Sequence, residues 1–256
     1  MTLKRWKLTI EYMGTPYSGW QRQEDGIPSV QQKIEEAITG FCQQDIRLHV
    51  AGRTDAGVHA EGQVAHFDLD YGDRPLEGYD LARALNAHLR NEKISILKAE
   101  IVADDFHARF GAINKLYTYR LLNRVAPPSF QDSLMWHVWG DLDVSAMREG
   151  AKYLLGHHDF STFRAAECQA KSPMKTLERA DIEELLLPKG GLEISFYFEA
   201  RSFLHHQVRN MVGTLVLVGQ GKWTPDDVRT ALEAKDRKHG GPTSPPDGLY
   251  LTRIDY

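Results

Sequence analysis

Two cysteines, Cys42 and Cys168, are all that the 256 residues contain, far apart and in no C-x-x-C spacing. That excludes a disulfide framework and a zinc ribbon, and leaves both as core or surface thiols. No run approaches the roughly 20 apolar residues of a membrane helix, and no secretory h-region precedes the first strand pattern, so a cytoplasmic protein without membrane contact is expected. A G-x-x-x-x-G-K-[ST] loop is missing, and Gly213 to Gly221 lacks the context of a dinucleotide fingerprint. Nucleotide hydrolysis and nicotinamide chemistry therefore have no support. Histidines are plentiful, but His157-His158 and His205-His206 are adjacent pairs whose rings should diverge, whereas a helical metal pair needs i, i+4 spacing; no metal site is expected. Net charge is only −4, which advertises no nucleic-acid binder, although a local basic surface would suffice.

What is present is a well-patterned globular chain. Hydrophobic residues make up 42% and aromatics 10%, too much for disorder and enough for one large domain or two ordinary ones. Trp6, Leu8, Ile10 and Tyr12 alternate with polar residues as in a half-buried strand. Ser29 and Gln32 make a plausible capping box ahead of Val30, Ile34, Ala37, Ile38 and Phe41, a helix ending near Gly40. Strands over 47–51 and 63–68, a helix marked by Leu81, Leu85 and Leu89, and a strand over 94–102 complete the order strand, helix, strand, strand, helix, strand. That order is the split βαβ, ferredoxin-like pattern.

Residues 103–110 lack a period and read as a connector, which places a boundary between halves 1–103 and 104–256. The second half repeats the order with one added helix. It has a strand over 115–122 carrying Tyr117 and Tyr119 on one face, and a helix with Val144, Met147, Ala151 and Leu154. Strands over 176–187 and 192–200 are joined by a turn at Pro188-Lys189-Gly190-Gly191; an apolar helix around Val208 to Val216, a helix opening at Thr224-Pro225, a Gly/Pro loop over 240–248 and a strand over 249–254 follow. The expected fold is α+β: two ferredoxin-like halves joined into one largely antiparallel mixed sheet, helices on one side and a cleft on the other.

Chemistry concentrates in Ala51-Gly52-Arg53-Thr54-Asp55-Ala56-Gly57-Val58-His59-Ala60, where glycines at 52 and 57 let a short loop project Arg53 and Asp55. Taken alone, the loop reads more readily as a tight turn with a solvated ion pair than as a catalytic loop. The loop over 14–23 carries Tyr17 and Trp20 among turn residues, and its spacing favours an aromatic-pinned loop over a ligand contact. Arg209, one turn after His205 in the apolar helix, either pairs with a carboxylate, Asp55 being one candidate, or reaches solvent at the helix edge. Paired, Asp55 would be held ionised as a nucleophile. His59 and His107 either contact a polyanion or pack against neighbours. Basic residues gather at Lys4, Arg5 and Lys7, at Arg109, Lys115, Arg120 and Arg124, and at Arg164, Lys171, Lys175 and Arg179, a pattern that suits a phosphate backbone if these are not simply solvated faces.

Several spaced motifs then coincide: Tyr17-Ser18-Gly19-Trp20-Gln21-Arg22-Gln23, Gly52-Arg53-Thr54-Asp55-Ala56-Gly57-Val58-His59, Asp105-Phe106-His107-Ala108-Arg109-Phe110, Tyr117-x-Tyr119, Phe203 through Gly213, and Gly248-Leu249-Tyr250-Leu251. In this order they closely resemble the tRNA pseudouridine synthase A family. The resemblance implies a cofactor-free isomerase acting on uridines 38, 39 and 40 of the tRNA anticodon arm. It implies Asp55 as the catalytic aspartate, Tyr117 as the ring stacking on the target uracil and helping to remove its C5 proton, and Arg209 as the basic partner. Arg53 would fill the space left by the flipped base, with His59, Arg109 and Lys115 as further substrate contacts. It also implies a homodimer bridged by tRNA. The segment Cys168 to Lys175 departs from the family, where an arginine or aromatic is common, which bears on substrate contacts and not on the reaction. A non-catalytic tRNA-binding protein would need only the basic surface and a stacking ring, and a glycoside hydrolase would need a second carboxylate that no telling spacing provides.

Overall fold

The computed structural model describes residues 3–24, 26–72, 75–188 and 190–256. Its Cα packing divides it into two compact units, one of 1–113 with 250–256 and one of 114–249. The expected boundary after residue 103 differs from this division in two ways: the connector packs with the first unit, and the final strand returns to it.

In the first unit, β1 (Leu3–Tyr12), α1 (Val30–Cys42), β2 (His49–Val50), β3 (His59–Asp70), α2 (Gly78–His88) and β4 (Ile94–Val102) follow the expected order. β1 runs antiparallel between β3 and β4, and β2 pairs antiparallel with the other edge of β3. The period-two pattern of β1 makes the two faces unlike. Trp6, Leu8 and Ile10 are at most 1% exposed, and their partners across the ladder, Phe67 and Ala65 among them, are buried as well. Val30, Ile34, Ala37 and Ile38 of α1 and Leu81 and Leu85 of α2 are also buried. Each such large side chain contributes about 1.5–3 kcal/mol on burial. Ser29 caps α1 by accepting from Gln32 N, and the helix runs past Gly40 to a left-handed Gln43. Gly40 therefore lies inside the helix, where a side chain would press on the His88 ring of α2.

The other face of β1 and β3 is charged. Arg5 forks onto Asp68 at 2.7 and 2.8 Å, its partner across the ladder, and Lys7 lies 3.8 Å from Glu100. Onto this face docks the segment 103–111. Arg5 donates to the carbonyls of Asp104 and Phe106, and Ala108 N donates to His66 Nδ1. Tyr256, following the last strand, donates to the Ala108 carbonyl at 2.8 Å. The sequence shows no period here because the segment is an irregular loop held by side chains from several strands.

The second unit contains β5 (Asn114–Asn123), β6 (Trp136–Val138), α3 (Val144–Lys152), β7 (Gly156–Asp159), β8 (Met174–Leu177), β9 (Arg179–Leu186), β10 (Leu192–Ala200), α4 (Gln207–Gly219) and α5 (Pro225–Ala234). β10 is antiparallel to both β5 and β9, β6 runs parallel to β5, and β7 and β8 form a separate antiparallel pair. The single strand expected over 176–187 is two, β8 and β9, interrupted at Glu178, whose N–H bonds to the Glu199 carbonyl. Lys189 of the turn that follows lies outside the described residues. α4 is apolar on nearly every side, as its sequence indicates, and α5 carries the expected cap, Thr224 and Asp227 bonding reciprocally.

The last strand, β11 (Leu249–Asp255), pairs parallel with β3, Tyr250 opposite His59 and Leu251 opposite Ala60. Each unit thus holds a sheet that is mostly antiparallel with one parallel pair, in an α+β fold. Among the described residues no helix is long and apolar enough to cross a membrane.

Candidate active site

The Arg53–Asp55 loop joins β2 to β3, and alternate residues of it are fixed from below. Gln63 Nε2 donates to the Gly52 carbonyl at 2.8 Å. The Thr54 hydroxyl bonds the buried Tyr12 hydroxyl at 2.7 Å, and the Thr54 carbonyl accepts from Trp20 N at 3.0 Å. With 52 and 54 held inward, the alternation of an extended chain leaves Arg53 exposed and Asp55 half-buried. The turn closes with Val58 N donating to the Asp55 carbonyl, and Gly57 takes a φ of 78°. Burial pushes the Tyr12 phenol up to about 12, against the lowering effect of its bonds with Thr54 and Gln63. It is a neutral anchor at working pH.

The loop over 14–23 is the floor under this turn. A Cβ on Gly14 would run into the Val58 carbonyl, and one on Gly19, at φ 91°, would meet the Thr54 carbonyl at 2.7 Å. Tyr17 and Trp20 are 4% and 1% exposed, and Arg22 reaches back to Glu35 of α1 at 3.4 Å. Tyr17 donates to Glu92 at 2.9 Å. Both aromatic rings of the motif are directed inward, in keeping with an aromatic-pinned loop, while Gln21, Arg22 and Gln23 are exposed.

His59 is 1% exposed, its ring stacked on Tyr250 at 4.7 Å and its Nδ1 accepting from Gly14 N at 3.0 Å. A ring so placed packs against neighbours, which leaves direct RNA contact closed to it. His107 belongs to a cluster with His49 and His66, the His66 and His107 rings 4.7 Å apart and those of His49 and His66 5.0 Å apart. Burial, reinforced by the charges of His107, His49 and Arg5, lowers His66 to about 4. Arg109 is exposed on the same docked loop.

The second unit carries Lys115, Tyr117 and Arg209. Tyr117 lies opposite Phe198 on β10, partly exposed, its ring edge-on to Phe203 at 5.1 Å. Tyr119, two residues on, is fully buried and donates to the Pro245 carbonyl at 2.8 Å; burial raises its phenol well above the ordinary value. Lys115 is half-buried at the start of β5, its N–H bonded to Asn114 Oδ1. Arg209 is half-buried on α4, and Ser244 grips it twice: Arg209 Nε donates to the Ser244 carbonyl at 2.8 Å, and Ser244 N donates to the Arg209 carbonyl at 3.2 Å. The loop over 240–248 approaches α4 closely enough for this only at glycines, since a Cβ on Gly213 would overlap the Pro242 carbonyl and one on Gly241 would press on Thr214.

Two sequence expectations are corrected here. The His205 and His206 rings do not diverge; they lie 4.0 Å apart because His206, the residue before α4, takes a left-handed φ of 61°. Several of the gathered basic residues are engaged internally. Arg164 donates to the Cys168 and Ala170 carbonyls, Arg124 to those of Ala126 and Pro127, and Arg179 binds Asp181 at 2.6 Å. Cys168 itself is buried, which raises a thiol. The backbone N–H groups of Ala170 and His205 and the Arg164 guanidinium outweigh that and hold it below its ordinary range.

Sequence reading missed Tyr12, Gln63, Thr54 and Ser244 as supports of the site. Thr54 had a signal, the inward position between two outward side chains, whereas Ser244 shows nothing in a loop of glycines and prolines.

A family model described as tRNA pseudouridine synthase matches residues 8–111 and 151–256. The chain is 54% identical over 254 residues to tRNA pseudouridine synthase A of Paramagnetospirillum magneticum, covering 99% of this chain and 96% of that protein. It is 53% identical to the protein of the same name from Rhodospirillum rubrum, covering 98% and 87%. Among solved structures, a Cbf5-Nop10-Gar1 complex aligns at TM-score 0.34 and 13% identity over 96% of this chain and 48% of that one, too low a likeness to bear on the fold.

Proposed function

Because this chain belongs to the tRNA pseudouridine synthase A family, we propose that it isomerises uridine to pseudouridine at positions 38, 39 and 40 of the tRNA anticodon arm, with Asp55 as the nucleophile. The observation that carries the assignment of Asp55 is the build of its loop: the residues on either side of Arg53 are pinned to buried partners, so Arg53 and Asp55 are presented on a pre-organised backbone.

The reaction breaks the N1–C1′ bond, turns the uracil and forms C5–C1′; the proton lost from C5 is balanced by one gained at N1. Nothing is added or removed overall, which is why no cofactor or energy-rich co-substrate enters. A carboxylate serves by attacking C1′, by adding to uracil C6, or by assisting departure of the base as a glycal is formed. Unstacking the target costs a few kcal/mol, which Arg53, filling the gap, and Tyr117, stacking on the uracil, offset. Arg209 is the basic partner of the aspartate in this reading, and its own orientation rests on Ser244. This reading requires the first unit, carrying the Asp55 loop, and the second, carrying Tyr117 and Arg209, to form two halves of one site, their sheets joined with an RNA-binding cleft. The neighbour order β4-β1-β3-β2 supports a ferredoxin-like first half. Lys115 and Arg109 would contact the phosphate backbone, His59 acting only through packing. A cytoplasmic homodimer bridged by one tRNA completes the proposal.

Incubating the protein with an unmodified tRNA transcript and mapping pseudouridine tests it. Product at 38–40 without any added cofactor is expected; unmodified uridines there overturn the reading.

A further inference from the structure

Phe110 is 72% exposed, on a loop that is otherwise anchored to the first unit. Its neighbours fix it from both sides. Ala108 is fully buried, with its N–H on His66 and its carbonyl on Tyr256, and Gly111 N donates to the His107 carbonyl at 2.8 Å. The N–H groups of Arg109 and Phe110 both point at His107 Nδ1, at 3.1 and 3.4 Å. Ile113 N then bonds to the Asp255 carbonyl. An exposed aromatic ring keeps apolar surface in water at a cost, and here the hydrogen bonds of the backbone on either side hold it in the open.

The company of the ring indicates what it meets. The Arg109 guanidinium lies 5.8 Å from its centre and the His107 ring 4.4 Å away. A flat exposed ring beside a guanidinium matches a nucleotide, base on ring and phosphate on guanidinium. We propose that Phe110 and Arg109 form a stacking platform for an unpaired base of the tRNA substrate, separate from the platform at Tyr117. The backbone of the loop is already hydrogen-bonded on both sides of the ring, which limits the ordering entropy lost on contact.

This rests on the proposed tRNA reaction, and the test separates the two. Dissociation constants for an unmodified tRNA transcript are measured across salt concentrations for the unchanged protein and for Phe110→Ala, Phe110→Leu, Phe110→Trp and Arg109→Gln, with melting temperature and light scattering alongside. A single base stacked on an aromatic ring is worth roughly 5- to 150-fold in affinity. Phe110→Ala and Phe110→Leu should both bind about tenfold more weakly at every salt concentration, while Phe110→Trp restores binding. The loss should fall on KM more than on kcat. Arg109→Gln should instead flatten the salt dependence by about 0.7–0.9 in slope, one phosphate contact. Melting temperatures should stay put, because the Phe110 ring is outside the core. Unchanged affinity in Phe110→Leu overturns the platform, as does rescue by leucine of the alanine defect. So does a change of oligomeric state in either variant, which would assign the ring to contact between copies. If the unchanged protein forms no pseudouridine, the proposed reaction fails; if it does and the Phe110 variants bind normally, only the platform fails.

Discussion

Replacing Thr54 with valine removes one hydroxyl from beneath the Asp55 loop and keeps the shape of the side chain. Thr54 and Tyr12 are 6% and 4% exposed, and their hydroxyls are 2.7 Å apart. After the change, the Tyr12 hydroxyl keeps only Gln63 Nε2, at a marginal 3.4 Å. A buried polar group deprived of its good partner costs about 1–3 kcal/mol. In a chain of this size each kcal/mol lowers the melting temperature by about 2–4 °C, so a fall between about 2 and 12 °C is expected. Thr54→Ser is the control, since it keeps the hydroxyl and removes one buried methyl, worth about 0.5–1.5 kcal/mol. Turnover reports separately. A loop free to shift by about 1 Å can lose up to about 100-fold in rate, so Thr54→Val should lose turnover well beyond its loss of tRNA affinity, and Thr54→Ser should retain most of it. Thermal melts, tRNA binding and single-turnover pseudouridine formation on the same preparations make the comparison. If valine melts and turns over as serine does, the hydroxyl pair does not hold the loop.

Acid should loosen the first unit through His66. Its folded value of about 4 lies below the ordinary 6.5, so the contribution is complete above about pH 6.5 and is lost as pH falls towards 4. Melting temperature measured from pH 7 to 4 should drop, and His66→Asn should reduce the slope whatever it does to the value at pH 7; parallel curves would contradict the cause. Gly213→Ala should push the loop over 240–248 off α4 and break the Arg209–Ser244 bonds, costing about 1–3 kcal/mol of stability together with turnover. A chemical-denaturation midpoint that does not move would refute the close approach.

The parts of the fold legible in sequence are those where local pattern and tertiary role agree. The alternation in β1 and β10 and the apolar stripe of α1 each follow from one buried face, so period alone identifies them. The partners were not legible, because adjacency across a sheet leaves no mark on either strand. β11 has an ordinary strand pattern, and nothing in it announces that it returns to pair with β3. The segment 103–111 is aperiodic because its backbone is held by Arg5, His66 and Tyr256, residues distant in the chain, and it therefore reads as a mere connector. At the site, Asp55 and Arg53 stood out by residue type between glycines, whereas Ser244 and Gln63 act through single hydrogen bonds that any serine or glutamine can make. For His59 the sequence left two readings open, polyanion contact or packing, and the ring is packed, stacked on Tyr250 with Nδ1 accepting from Gly14 N.

If one carboxylate carries the isomerisation, removing its charge should abolish the reaction. Asp55→Asn keeps the shape of the side chain and removes its charge, so the pinned loop should persist. The direct measurement is single-turnover formation of pseudouridine on a tRNA transcript at saturating enzyme, with the dissociation constant determined on the same protein. Asp55→Asn should bind tRNA within a few-fold of the unchanged protein and form no detectable product. Product formed at the unchanged rate would contradict the role of Asp55.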